Sequence, residues 1–292
     1  MSAHVGGVRS EELIPTAYGG VVRNGCFRGS RAQGRWEPLS PGRKPTGPEW
    51  DAQSMDLRKA WEEQAARWLD WARTPKHDSF WAYSGSFFND IVPDGLGLVL
   101  DLGCGEGRVS RLLAESAQHV IAIDSSPTLI REARAADLQS VYLVGDATRL
   151  PFESESFRTV VAYNSLMDLN DVPAGVAEAT RVLKTGGLFC ICILHPVGDV
   201  GRFPNEDEDA PFMIDDYYKS QLYEQCHERD GLQMTFNSWH HPLSHYTDSL
   251  QASGLLIDRI KEPLPDYEAL GRRQWPRAER IPMFMFIRAV KP

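Results

Sequence analysis

The chain has 292 residues, 42% of them hydrophobic, so it can bury one sizeable core together with an accessory part. Its formal net charge of −9 argues against a nucleic-acid backbone or an anionic membrane surface as a partner, because both attract a basic face. The five cysteines show no framework spacing, which predicts reduced thiols and a cytoplasmic protein, and no apolar run reaches the length of a membrane-spanning helix.

The first 95 residues divide into two parts. Residues 1–50 are rich in Gly, Pro, Ser and Arg without sustained periodicity, which predicts a disordered leader. Residues 51–95 carry apolar residues at helical spacing, which predicts an N-terminal helical cap. We expect most of its aromatic residues to fill the core, whereas Trp81 and Tyr83 lie closer to the glycine-rich stretch and are predicted to line a substrate pocket.

A glycine-rich turn follows the first predicted buried strand, at residues 96–102. The turn begins at Asp101-Leu102-Gly103 and continues through Cys104-Gly105-Glu106-Gly107, and a helix is expected from Arg108. Glycines allow a tight turn and let a ligand approach the backbone closely. The dinucleotide-binding fingerprint would require its third glycine at position 108, where this chain has arginine. A nicotinamide-dependent dehydrogenase is therefore disfavoured.

Strands and helices alternate from residue 96 to residue 194, which predicts an α/β fold with a mainly parallel sheet and right-handed crossovers. The predicted strands, the last two forming an antiparallel closure of the sheet, are 96–102, 119–123, 141–144, 159–162, 188–194, 255–261 and 282–290.

The insertion 196–241 breaks this alternation and is too long for a plain loop. Two alternating runs flank Asp230-Gly231, which is a strong signal for a β-hairpin. We expect this hairpin to lie over the ligand-binding edge of the sheet as a substrate cap.

Polar residues close four successive strands, at the edge where open α/β sheets bind ligands. Asp124 closes the second strand, where its carboxylate could accept two hydrogen bonds from a ribose diol. Asp146 and Ala147 close the third and could bind an adenine, and Asn164 closes the fourth. Asp101 lies beneath the glycine turn and could hold either the loop or a ligand's ammonium group. Each acid alone could equally cap a helix, but four together favour a ligand site.

Several stretches together resemble the class I S-adenosylmethionine-dependent methyltransferases of the bacterial small-molecule type: Asp101–Gly107, Asp124, Gly145–Phe152 and Arg181–Gly187. The resemblance covers residues 56–291. One departure is Arg158, where the family commonly has Asp, which affects local packing only.

The resemblance implies a Rossmann-like fold with a seven-stranded, mostly parallel sheet, helices on both faces, and residues 96–292 as the methyltransferase domain. It implies S-adenosyl-L-methionine as cofactor and S-adenosyl-L-homocysteine as product. The residues expected to bind the cofactor are Asp101, Gly103, Cys104, Gly105, Asp124, Ser125, Asp146, Ala147 and Asn164.

Methyl transfer to a hydroxyl benefits from a base, and histidine has a suitable pKa. His195 ends the fifth strand and His241 precedes the helix after the hairpin, so both are candidate catalytic residues, with an ordinary packed histidine as the alternative for each. No metal is expected, because the acidic run 206–209 lacks calcium-loop spacing.

The predicted function is the transfer of a methyl group to O, N or C of a small-molecule acceptor by in-line displacement. Two alternatives stay open. The protein could use the bound cofactor structurally for other chemistry, such as a pericyclic step or a decarboxylation, or it could bind the cofactor without catalysis. Neither a nucleic acid nor a membrane is expected as a partner, and a homodimer is one option for the oligomeric state.

Overall fold

The computed structural model describes residues 13–15, 21–23, 55–205 and 207–292. The predicted disordered leader, residues 1–50, lies largely outside these ranges. The two pieces of it that are described are short strands, Leu13–Pro15 (β1) and Val21–Arg23 (β2), which pair in antiparallel fashion.

Eight helices lie within the described ranges, and they occupy the predicted helical segments together with two short additions. They are Leu57–Arg73 (α1), Phe80–Asp90 (α2), Arg108–Ala114 (α3), Pro127–Ala136 (α4), Val172–Val182 (α5), Pro196–Val200 (α6), Leu243–Ala252 (α7) and Tyr267–Leu270 (α8). No described helix is both long enough and apolar enough to cross a membrane.

Eleven further strands follow β2 along the chain. They are Leu98–Leu102 (β3), His119–Asp124 (β4), Val141–Val144 (β5), Phe157–Tyr163 (β6), Leu183–Leu194 (β7), Gly201–Arg202 (β8), Met213–Ile214 (β9), Gln221–Arg229 (β10), Leu232–His240 (β11), Leu256–Lys261 (β12) and Phe284–Val290 (β13).

The main sheet has seven strands in the order β12-β13-β7-β6-β3-β4-β5. The five strands from β7 to β5 are parallel, whereas β13 runs antiparallel to both β7 and β12. The prediction of a seven-stranded, mostly parallel sheet closed by an antiparallel pair is therefore confirmed. The switch in strand order between β3 and its two neighbours creates the crevice in which such sheets bind ligands.

Helices cover both faces of the sheet, and the alternation of side chains along β7 shows how. Ile191 and Ile193 belong to one apolar core, which includes residues of α5 and α7. Cys190 and Cys192 point the other way, into a second core with residues of α2 and α3. Because successive side chains of a strand point to opposite faces, one apolar strand supplies both cores.

The predicted hairpin is formed by β10 and β11, with Arg229 opposite Leu232. The two turn residues, Asp230 and Gly231, both have positive φ angles, of 50° and 80°. This is the backbone of the type I′ turn that Asp-Gly favours, because its twist matches that of the two strands.

The hairpin packs against α1 through one aromatic side chain. The Phe236 ring lies edge-on to three indoles of α1, with centroid distances of 6.3 Å to Trp61, 6.2 Å to Trp68 and 5.9 Å to Trp71. Edge-to-face contacts of this kind stabilise beyond the area that they bury. The helical segment and the insertion, predicted separately, therefore meet in one aromatic cluster.

Replacing Phe236 by alanine should detach the hairpin from α1. We expect the free energy of unfolding to fall by about 1–3 kcal/mol, less than for a fully buried phenylalanine because the ring is half-buried. Thr235→Ala, on the opposite face of the same strand, is the matched control. Chemical denaturation measures both, and equal losses would contradict the packing role of the ring.

Candidate active site

A cavity of about 470 Å³ lies at the carboxyl ends of the central parallel strands. Its floor is the glycine turn after β3 and the ends of β4, β5 and β6, and its walls are α1 and the hairpin. This is the position at which open α/β sheets bind nucleotide-type ligands, and the volume suits a small molecule.

Two glycines give the floor its shape. Gly103 has a φ of +74°, and a Cβ there would lie 2.4 Å from the Cβ of Ser165. Gly105 has a φ of +56°, and a Cβ there would lie 3.4 Å from Nε1 of Trp68, the indole above the turn. At Gly103 any side chain would clash with Ser165. At Gly105 the absence of a side chain leaves space between the turn and α1.

Asp124 is half-buried at the end of β4 and holds the turn in place. Its two carboxylate oxygens each accept a backbone N–H, from Gly105 and from Ser126, both at 2.8 Å. Burial raises its pKa, and these N–H donors oppose that rise. An ionised carboxylate has about four acceptor positions, so two N–H bonds leave room for a ligand diol.

Asp146 and Asn164 line the cavity as predicted, but both already have protein partners. Oδ2 of Asp146 lies 3.0 Å from Nη1 of Arg58 on α1, and Oδ1 accepts the N–H of Thr148 at 2.8 Å. Asn164 has a φ of +52°, and its Oδ1 accepts the Cys192 thiol at 3.0 Å. A ligand at this end would therefore share Asp146 with Arg58.

The other predicted cofactor residues divide clearly. Cys104, Ser125 and Ala147 line the cavity together with both glycines. Asp101 does not, because its carboxylate is buried beneath the turn and accepts the Ser110 hydroxyl of α3 at 2.6 Å. Of the two roles predicted for Asp101, its position supports holding the loop and not binding a ligand. Burial raises its pKa to about 7.

Neither predicted catalytic histidine reaches the cavity. His195 caps α6 by accepting the Val197 N–H on Nδ1, and its Nε2 lies 2.8 Å from Oε1 of Glu262. Its ring is therefore engaged at both nitrogens by protein partners. The structure corrects the expectation that a histidine at the end of β7 must face the ligand.

His241 is likewise used within the protein. It stacks on His245, with ring centroids 3.9 Å apart, and its Nδ1 lies 2.8 Å from the Ser220 hydroxyl. Burial lowers its pKa to about 3, so it is a poor base near neutral pH.

The two aromatics predicted to line the pocket do not do so either. Tyr83 is fully buried and packs on Phe284 at 4.8 Å, whereas Trp81 faces away with 38% of its surface exposed. The reason is their position on α2: residues two apart in a helix point about 200° from each other, so Tyr83 packs on the sheet while Trp81 faces the opposite side.

The aromatic residues that line the cavity include the three indoles of α1, expected to be core fillers, and residues of the hairpin. Alternate hairpin residues face inward, as the two-residue period of a strand requires. They are Tyr223, Gln225, His227, Arg229, Phe236 and Ser238. This alternation was visible in the sequence once the Asp230-Gly231 turn had fixed the register.

Three buried polar atoms of residues lining this chamber have no hydrogen-bond partner within the described part of the chain. They are Nε1 of Trp61, Oδ1 of Asp78 and the hydroxyl of Tyr163. Unpaired buried polar atoms are uncommon and costly in a folded protein, so three of them among the residues around one cavity favour a place for polar groups of a ligand.

Asp168 also faces this chamber, from the 3-10 turn Leu166–Asp168 that follows β6. Its Oδ1 accepts the hydroxyl of Ser238 on the hairpin at 2.5 Å. Burial raises its pKa to about 8. No pattern in the sequence singled out this residue, because its significance depends on the hairpin strand that contacts it.

Comparison with known proteins agrees with the fold. Residues 100–191 match the family described as a methyltransferase domain. A demethylmenaquinone methyltransferase of Clavibacter sepedonicus is 38% identical over 97 residues, which are 32% of this chain and 40% of that protein. The match thus spans about two fifths of the relative's length.

Solved structures extend the likeness beyond the matched residues. An S-adenosylmethionine-dependent methyltransferase from Mesorhizobium loti, at 23% identity, has a TM-score of 0.60 and covers 73% of this chain and 98% of that chain. A putative one from Listeria monocytogenes, at 22% identity, has the same TM-score and the same coverage. These likenesses concern the fold.

The fold is the one shared by the class I S-adenosylmethionine-dependent methyltransferases. Residues 100–191 match the methyltransferase-domain family, in agreement with the family resemblance seen in the sequence. The family implies S-adenosylmethionine as the cofactor, and the residues present fit it. The open turn at Gly105, the remaining acceptor capacity of Asp124 and the Asp146 carboxylate suit the backbone approach, the ribose diol and the adenine amine.

Asp124→Ala should weaken S-adenosylmethionine binding by about 1.5–3 kcal/mol, because charge-assisted hydrogen bonds to the diol are lost. Asp124→Asn is the matched control: it keeps one oxygen for the Gly105 N–H and should lose less. Calorimetry measures both affinities. An unchanged affinity for Asp124→Ala would contradict the assignment of this residue to the ribose.

Asp101→Asn should stabilise the protein increasingly as the pH rises. The folded-state pKa of Asp101, about 7, exceeds the value near 3.9 expected for the unfolded chain, so the native protein loses stability between those values as pH increases. The asparagine can still accept the Ser110 hydroxyl. We expect its advantage to grow from near zero at about pH 4 to about 4 kcal/mol at about pH 8, since each unit of difference between the two pKa values corresponds to about 1.4 kcal/mol. Thermal unfolding across that range measures it, and a pH-independent difference would contradict the buried-carboxyl account.

Proposed function

We propose that this protein is a methyltransferase that uses S-adenosylmethionine to methylate a small-molecule acceptor held between α1 and the hairpin. The observation that carries the proposal is the continuity of one cavity. The floor of the cavity contains the glycine turn and Asp124, which are typical of a nucleotide site. Its walls contain the indoles of α1 and the hairpin, which lie outside the main sheet.

When bound, the cofactor would supply an electrophilic methyl group on a positively charged sulfur. The contribution of the protein is position and shielding. α1 is fastened above the floor at two points: Arg58 pairs with Asp146, and Glu62 accepts the Thr128 hydroxyl at 2.7 Å and the Ser126 hydroxyl. These contacts hold the indoles of α1 over the glycine turn.

The acceptor chamber is predominantly aromatic with a few placed polar groups, which is the usual composition of a small-molecule site. Trp61, Trp68 and Phe236 present ring faces and edges, and the unpartnered polar atoms lie among them. This lining favours a flat, apolar acceptor that carries at least one polar substituent. The name of the Clavibacter relative, a demethylmenaquinone methyltransferase, accords with such an acceptor.

Arg229 lines the cavity and connects the hairpin to the surrounding residues. Its guanidinium lies 5.5 Å from the Trp71 ring centroid and 5.1 Å from that of Trp275, and it donates to the carbonyl of His77 at 3.0 Å. Burial lowers the pKa of Arg229 to about 10, which leaves it charged at neutral pH. The charged guanidinium therefore contributes to the wall of the cavity, because its cation–π contacts join the hairpin to Trp71 and Trp275.

Two other functions share the fold: non-methyl chemistry with the cofactor as a structural element, and binding without catalysis. The fate of the cofactor's methyl group distinguishes these two functions from methyl transfer. A methyltransferase converts S-adenosylmethionine into S-adenosylhomocysteine once per turnover, whereas the alternatives leave the methyl group in place. A cytoplasmic location, indicated by the cysteine content, stays a prediction.

The direct test is a metabolite-library screen for S-adenosylhomocysteine release, with flat hydroxylated and amino-substituted ring compounds well represented. Asp124→Ala, assayed at a cofactor concentration near the wild-type Kd, serves as the control that should weaken cofactor-dependent signals. Release that requires both an acceptor and the intact cofactor site supports the proposal. Stoichiometric product formation with the cofactor unchanged would favour the structural-cofactor alternative.

Replacing residues 221–236 by a short linker should spare cofactor binding and stop turnover, because the wall is lost while α1 stays fastened to the floor. Cofactor affinity by calorimetry and acceptor-dependent S-adenosylhomocysteine release are the two measurements. Phe236→Ala, the milder variant, should raise the KM for the acceptor with a smaller effect on cofactor affinity. A linker variant that methylates the acceptor at the normal rate would refute the role of the hairpin.

A further inference from the structure

We propose that Asp168 is the catalytic base of the methyl transfer: its carboxylate takes the proton that a hydroxyl acceptor loses as it is methylated. This inference rests on the proposed function and specifies it, because it assigns the acceptor to compounds that lose a proton on methylation.

The geometry provides one fixed oxygen and one open oxygen. Oδ1 of Asp168 accepts the Ser238 hydroxyl, which sets the orientation of the carboxyl group. Within the described residues, Oδ2 accepts no hydrogen bond, and no lysine or arginine pairs with the group. Since Asp168 lines the same cavity as Asp124 and the hairpin, its open oxygen is available to a bound acceptor.

The second support is the position of Ser238 relative to the aromatic wall. Ser238 and Phe236 lie two residues apart on β11, and both line the cavity. Alternate residues of a strand share a face and are separated by roughly 7 Å. An acceptor ring beside Phe236 would therefore bring a ring substituent within reach of the carboxyl that Ser238 orients.

Burial and the charged groups around Asp168 keep its carboxyl group mainly neutral until a ligand brings a positive charge into the cavity. Asp124 and Asp199 both disfavour its ionisation, and the Tyr246 hydroxyl lies within the same electrostatic environment. Asp199 is itself 3.3 Å from Nδ1 of His240, so that histidine does not neutralise Asp168. In the empty cavity Asp168 is mainly neutral at pH 7, since its pKa is about 8, and a sulfonium charge would favour the carboxylate.

The proton and electron balance of the step is complete. The acceptor oxygen forms a bond to the methyl carbon with one of its electron pairs. The bond between that carbon and sulfur breaks, and its pair stays on sulfur. The acceptor's O–H proton passes to Oδ2 of Asp168, which becomes neutral and later loses the proton to solvent.

Two variants separate this role from a structural one. The Asp168–Ser238 bond also ties the hairpin to the sheet, so loss of activity alone would be ambiguous. Asp168→Asn keeps an oxygen that can accept the Ser238 hydroxyl but cannot titrate. Ser238→Ala removes the tie and leaves a carboxyl that still titrates, with its pKa raised further because a stabilising donor is gone.

The experiment measures the affinity of the full-length protein for S-adenosylmethionine and for S-adenosylhomocysteine, from about pH 6 to about pH 9. The amino group of each ligand and Asp101 also titrate in this range, so the informative quantity is the wild type compared with Asp168→Asn. For S-adenosylmethionine we expect the wild-type affinity to rise with pH relative to the variant, by about tenfold per unit by which the bound charge lowers the pKa of Asp168. For the uncharged thioether of S-adenosylhomocysteine we expect a much smaller difference.

In Ser238→Ala, the affinity for S-adenosylmethionine should still rise with pH relative to Asp168→Asn, but the rise should occur at higher pH than in the wild type. With the acceptor found by the library screen, Asp168→Asn should lower kcat by about 10²–10⁴-fold while leaving the acceptor KM nearly unchanged. Ser238→Ala should lower kcat less and shift the pH–rate profile upward.

The outcomes are distinguishable. If the wild type and Asp168→Asn show the same pH dependence toward S-adenosylmethionine, or if Asp168→Asn turns over normally, the base assignment is overturned and the methyltransferase proposal stands. If Ser238→Ala is as inactive as Asp168→Asn and no pH-linked difference exists, the pair is a structural tie. If neither cofactor form binds the wild type, the proposed function itself fails.

Discussion

The clasp between Asp124 and the glycine turn is the contact on which the site depends. A carboxylate at the end of β4 accepts the N–H of Gly105 from the neighbouring strand's turn and the N–H of Ser126 at the start of α4. One side chain thus joins the ends of two parallel strands and the beginning of a helix. Because the turn contains residues with positive φ, few other conformations could present the same N–H to that oxygen. The cavity floor has its shape for this reason.

Much of the fold could be predicted from the sequence because the signals were local. β5 was predicted as residues 141–144, the bounds that the structure gives, and the Asp230-Gly231 turn fixed the hairpin and its register. From the sequence, Arg108 indicated only that the third glycine of the dinucleotide-binding fingerprint is missing. In the structure Arg108 bonds to Asp78 at 2.6 Å and lies over the Phe80 ring, so it attaches α3 to the segment before α2.

The cofactor end was predicted better than the acceptor end, and the reason is physical. Residues that follow parallel strands must lie at one edge of the sheet, so strand ends alone place Asp124, Asp146 and Asn164. The acceptor end depends on contacts between distant segments. His195 also follows a strand, yet Glu262, 67 residues later, takes its ring away from the cavity. Asp168 acquires a partner only through Ser238, 70 residues later. Periodicity within a segment contains no information about such pairings.

The hairpin is held at both of its ends. At its tip, the Asp230 carboxylate lies 3.3 Å from Nδ1 of His77 and 3.4 Å from Nη2 of Arg272, and at its base Ser238 is bonded to Asp168. A strand pair fixed at both ends presents one inner face to the cavity, and under the proposed function the shape of that face would select the acceptor. Because inward and outward residues alternate, Gln225 and His227 can change while the outer face and the sheet below are untouched. Under the proposed function, substitutions on this inner face would therefore change the acceptor preference and leave the cofactor site as it is.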